Sequence, residues 1–124
     1  MEGYKVTIKH CSRELTARER VMVKDTSNAI KLDEAANADG GVDIPVLFYA
    51  VLNIHNEKSD DKDYENYLII DKNGNKFVTG SPSFWSAFMD IADEMEGEGD
   101  FTVNVYKLDS KNYKGKQFLT CSIV

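Results

Sequence analysis

Between Ile44 and Asn56 the chain reads IPVLFYAVLNIHN, a stretch that is apolar at both of its alternating positions. Successive side chains of an extended strand point to opposite faces. Val46, Phe48, Ala50, Leu52 and Ile54 therefore form one row, and Leu47, Tyr49 and Val51 the other. A strand with two apolar faces either lies centrally in a sheet, covered on both sides, or turns one face to a ligand. Pro45 suits its start, where no ladder donor is needed.

The surrounding segments supply partners for such a strand. Tyr4–Lys9 alternates polar and apolar residues and predicts a strand. The stretch SRELTARER is ambiguous: Ser12 suits a helical cap, while Val21, Met22 and Val23 predict a strand soon after. Gly40 and Gly41 mark a loop before the central strand. Two short strands flank Asp71–Asn75, where Asn73-Gly74 is the strongest hairpin signal in the chain. One helix is expected over about 81–96. Ser81 caps it, Pro82 takes the first turn, and Gly97 follows the end. Phe84, Phe88, Ile91 and Met95 form its apolar stripe, widened by Trp85 and Ala92, which must dock on the sheet. The chain closes with a hairpin. Phe101, Val103, Val105, Leu119, Cys121 and Ile123 suit the core; Thr102, Asn104, Tyr106, Phe118, Thr120 and Ser122 lie opposite. The sum is a mainly β, single domain over residues 1–124: an OB-like barrel of five or more antiparallel strands with one amphipathic helix.

At 124 residues the chain buries about two-thirds of the surface it exposes when unfolded, enough for one core. No apolar run reaches the roughly 18 residues that span a bilayer, and the N-terminus has no apolar signal region. Cys11 and Cys121 are too few and too far apart for a metal knuckle or disulfide framework, so reduced thiols and a cytoplasmic location are expected. The charge, −6 in total, is uneven. Residues 1–24 hold six bases against three acids, residues 25–100 five against seventeen, and residues 101–124 four against one. Distribution matters more than the sum for a nucleic-acid partner.

Enzymatic motifs do not survive inspection. There is no G-x-S-x-G, and capping explains Ser81. Asp71–Asn75 begins like a calcium loop, but Pro82 falls where the acidic twelfth ligand belongs. No glycine-rich phosphate loop is present. No catalysis, cofactor or metal is expected.

The closing hairpin does carry a pattern. Tyr106 and Phe118 take its non-core face, Tyr113 its turn, and Lys107, Lys111, Lys114 and Lys116 surround them. Single-stranded nucleic acid needs flat rings for bases, worth roughly 1–3 kcal/mol per base, and cations along the phosphates. Tyr49 and His55 share a face of the central strand and extend the platform, while Arg18 and Arg20 offer further phosphate contacts. The plainer alternative is lysine placed for solubility and edge protection.

The segment SKNYKGKQFLTCSIV, with NYLIIDKNGNKFVTGSPSFWSAFMDI before it, resembles small proteins of phages and mobile elements of Gram-positive bacteria. In pattern it is similar to phage single-stranded-DNA-binding proteins of OB-fold type. The resemblance covers about the last sixty residues. It implies sequence-independent coating of transient single-stranded DNA in replication or recombination, with replication or recombination proteins as further partners. A rival expectation comes from the acidic middle. Glu94, Glu96, Glu98 and Asp100 would mimic nucleic acid and occupy a basic host protein. Exposed edge strands would also permit homo-oligomers.

Overall fold

The computed structural model describes residues 3–60, 62–110 and 115–124. Seven strands and three helices follow in the order β1 (Tyr4–Cys11), α1 (Ala17–Lys24), β2 (Ile30–Lys31), α2 (Leu32–Ala35), β3 (Val42–Asn56), β4 (Asp63–Asp71), β5 (Lys76–Thr79), α3 (Pro82–Glu94), β6 (Phe101–Asp109) and β7 (Gln117–Ile123). The protein is mainly β, with a strongly curled, half-barrel sheet. Its strand order is β2-β5-β4-β3-β6-β7, with β1 added on β3. All pairs are antiparallel except the two-residue β2, which runs parallel to β5.

β3 organises the sheet. Val42–Val46 pair with β6, Ala50–Asn56 pair with β1, and β4 runs along the other side. At the hand-over between partners a bulge intervenes: Val46 opposes Asp71 and Phe48 opposes Ile70, leaving Leu47 extra. One inserted residue bends a strand and reverses which face its side chains take. This corrects the row read from the sequence. Val46 joins Ile44, Tyr49 and Val51 on the α3 side, whereas Phe48, Ala50 and Leu52 face away. β3 is thus covered on both faces, the first of the two options its composition allowed.

The α3 side holds the larger core. Ser81 Oγ accepts a hydrogen bond from Phe84 N–H at 3.2 Å, and Pro82 opens the helix, as read from the sequence. Phe84, Trp85, Phe88 and Ala92 are buried against Val51, Tyr67, Ile69, Phe77, Val103, Val105, Leu119 and Cys121. Trp85 lies stacked between Tyr67, at 5.0 Å, and Phe88, at 4.9 Å. Burial pushes the Cys121 thiol up to about 11, so it stays protonated. Both cysteines are free.

The opposite side of β3 and β4 is closed by the N-terminal region. Val23 of α1 packs with Phe48, Ala50, Leu52, Leu68 and Ile70, and Val6, Ile8, Cys11 and Leu15 border them. Val21–Val23 are helical rather than a strand. Thr16 and Glu19 form a reciprocal capping box that starts α1, and local capping overrides the β-preference of two valines. α1 and the one-turn α2 are therefore helices beyond the single one expected. No helix among the described residues is long and apolar enough to cross a membrane.

Candidate nucleic-acid interface

The β6 and β7 register decides which side chains leave the core. Val103 opposes Ile123, Val105 opposes Cys121, and Lys107 opposes Leu119 on the α3 side. Asn104 opposes Ser122, Tyr106 opposes Thr120, and Leu108 opposes Phe118 on the outer face. Val103 and Val105 are fully buried, while Leu108 and Phe118 stay 46% and 44% exposed. Strict alternation thus puts Tyr106 and Phe118 outside the interior. Tyr106 is half-buried, and its hydroxyl lies 2.7 Å from Ser122 Oγ.

The loop before β3 builds a wall beside these rings. Gly40 and Gly41 both take positive φ, +76° and +74°. Gly41 passes so close to β6 that a Cβ there would overlap the Val105 carbonyl oxygen. Asn104 Nδ2 donates to Gly40 O and to Asp43 Oδ1, both at 2.9 Å, fastening the loop. Lys107 Nζ donates to Asn37 Oδ1 at 2.8 Å. A cleft of about 340 Å³ results, lined by Ala36, Gly40, Gly41, Asn104, Tyr106 and Lys107. Tyr106 and Lys107, neighbours that point to opposite faces of β6, meet at this one edge. An ammonium carries three donors, and the bond to Asn37 uses one of them. The sequence reading reaches Asn104 only as an outward-facing strand position and does not reach Asn37. The only sequence signal near them is the Gly40-Gly41 pair.

The other candidates lie elsewhere. Tyr49 projects to the α3 side, edge-on to Trp85 at 5.9 Å and Phe88 at 5.2 Å. It cannot continue a platform with Tyr106, because helix packing took the face of β3 that Tyr49 occupies. His55 shares that face but sits at the far end of β3. Its Nδ1 lies 2.7 Å from Asp63 Oδ1 and its Nε2 lies 2.6 Å from Glu57 Oε1. Hydrogen bonds to Asp63 and then Glu57 raise its pKa, favouring the imidazolium, yet both ring edges are already engaged by carboxylates. Arg18 and Arg20 belong to α1. Arg20 Nη1 donates to Leu15 O at 2.7 Å, and no hydrogen bond or ion pair among the described residues ties Arg18 to the hairpin. Arg13, on the same region, lies 4.1 Å from the Phe48 ring centroid. Lys116 is exposed just before β7. Tyr113 and Lys114 lie outside the described residues.

Among the described residues no group of three His, Cys, Asp or Glu is placed to hold a metal ion. No family model, no curated protein and no solved structure matches this chain.

Proposed function

We propose that this chain binds single-stranded DNA without sequence preference, across the outer face of the β6 and β7 hairpin, on an OB-like half-barrel. The observation that carries the reading is the meeting of Tyr106 and Lys107 in one open cleft beside β6, with Phe118 turned outward on the neighbouring β7. A stacking ring beside an ammonium is what a base and its phosphate require. Thr120, Ser122 and Asn104 add hydroxyl and amide groups on the same face. The arrangement of a curled antiparallel sheet with its long helix between β5 and β6 fits the OB-like architecture. Tyr49, His55, Arg18 and Arg20 have no part in this version of the site. Replication and recombination are the settings where such a coating protein acts.

The test is fluorescence anisotropy of a labelled oligothymidylate. Affinity should be measurable at low salt and fall as salt rises; the four lysines of residues 107–116 set a slope no steeper than about −3 in log K against log salt. Phe118→Ala should weaken binding roughly 5- to 150-fold, the equivalent of about 1–3 kcal/mol of stacking. An absence of low-salt affinity, or an unchanged Phe118→Ala variant, would refute the assignment.

A further inference from the structure

A second cleft lies on the α3 side of the sheet. It measures about 540 Å³ and lies between His10 and Cys11 at the β1 end, Leu47 and Tyr49 at the β3 bulge, Met89 and Asp93 of α3, and Met95, Glu96, Gly97, Gly99 and Phe101 beyond it. Two features of the fold create it. The bulge lifts Leu47 out of the ladder and leaves it 46% exposed. The turn after α3 then carries the chain around to Phe101 and supplies the facing wall.

Its walls mix apolar and polar surface, with the His10 imidazole at the β1 end and carboxylates at the end of α3. Leu47, Tyr49, Met89, Met95 and Phe101 supply hydrocarbon and ring surface; Asp93 and Glu96 supply two carboxylates. No lysine or arginine lines it. Among the described residues Asp93 and Glu96 make no ion pair, although Asp100 nearby pairs with Lys72 at 2.7 Å. The carboxylates also stand at the C-terminal end of a helix with no base in its last turn, where the helix dipole disfavours them. Folding gains nothing from that placement, and a local choice that opposes the fold points to function. The field of these acids reaches the cleft wall: burial, then Asp93 and Glu96, raise the pKa of the Tyr49 phenol, which makes no hydrogen bond among the described residues.

We propose that this cleft docks a protein partner through a segment in which arginine or lysine alternates with apolar residues. Charge complementarity selects the cation, and the Leu47, Tyr49 and Phe101 walls select an apolar stem beside it. A bare cation would leave those walls wet, and a purely apolar segment would bury Asp93 and Glu96 unpaired. The cleft opens on the α3 side of the sheet, so a partner seated there leaves the outer face of β6 and β7 open. The proposal does not depend on the single-stranded-DNA reading.

The test titrates isotope-labelled full-length protein with two synthetic peptides of equal length and charge, one alternating arginine and leucine, the other arginine and serine. The expected result is that the arginine–leucine peptide binds more tightly and shifts the amides of Cys11, Leu47, Gly97 and Gly99. Asp93→Asn with Glu96→Gln should weaken it about tenfold, as loss of two partly exposed charge pairs implies. Removing the same charge from α2, by Asp33→Asn with Glu34→Gln, should change affinity less than about twofold. The cleft variant relieves a dipole clash and should remain folded. Equal losses for the two double variants, equal affinity for the two peptides, or shifts confined to other amides would overturn the proposal. So would sedimentation showing self-association that the cleft variant abolishes, which would make the occupant a second copy of this chain.

Discussion

Gly41→Ala tests how the loop before β3 shapes the candidate interface, with Gly40→Ala as its internal control. Both glycines hold nearly the same left-handed backbone, φ +74° and +76°. A side chain there costs about 1–2 kcal/mol at either position. The restriction that a Cβ places on the unfolded chain also acts on both and cancels. The surroundings differ. At Gly40 nothing lies within 4 Å of an added Cβ, whereas at Gly41 it would overlap Val105 O and come 2.9 Å from Tyr106 Cβ. Val105 O is backbone of a buried strand and has little room to give. Such overpacking costs about 1–3 kcal/mol more. Gly41→Ala should therefore exceed Gly40→Ala by that amount. For 124 residues each kcal/mol is about 4 °C in melting temperature, so the two variants should differ by about 4–12 °C. Urea unfolding followed through Trp85, the only tryptophan, reads the difference directly, because its indole is stacked in the core. The same displacement pushes on Tyr106, so oligothymidylate affinity should fall further for Gly41→Ala than for Gly40→Ala. Equal unfolding midpoints for the two variants would refute the close approach of this loop to β6.

Two further outcomes follow from single residues. Asp71 is 4% exposed and its carboxylate accepts from Asn73 N–H, Asn75 N–H and Asn75 Nδ2. Asp71→Ala should destabilise by about 1–3 kcal/mol in urea unfolding, and a loss under about 0.5 kcal/mol would show that water replaces the carboxylate. For His55, the bonds to Asp63 and Glu57 raise the folded pKa above the ordinary 6.5. Its contribution to stability is then fully present below about pH 6.5 and is lost as pH rises through the raised value. A proton-resonance titration should give a midpoint above 6.5 that Asp63→Asn lowers; a wild-type midpoint at or below 6.5 would contradict the bonds from His55 to Asp63 and Glu57.

Local pattern determined much of this molecule on its own. Ser81 and Pro82 start α3 whatever lies around it, because a cap and a pre-set φ act within one turn. Alternation in β6 and β7 sorted Val103, Val105, Leu119 and Cys121 inward and Tyr106 and Phe118 outward, since the strand period does not depend on neighbours. Asn73-Gly74 marked the β4 and β5 hairpin, whose turn takes its positive φ at Gly74 alone. Even the capping box of α1 was written in Thr16 and Glu19, although the two β-branched valines after it suggested otherwise. The decisions left to tertiary structure are those that involve two segments at once. The bulge at Leu47 arises where β3 passes from one partner to the next, and it alone decided that Val46 and Tyr49 share a face. Docking of α3 took Tyr49 away from the open surface, and Glu57 and Asp63 closed on His55. Gly41, Asn104, Tyr106 and Lys107 became one cleft only because a loop some 65 residues upstream in the chain folds against β6. Side-chain periodicity is a property of one strand; which strand, loop or helix stands opposite is a property of the packed whole.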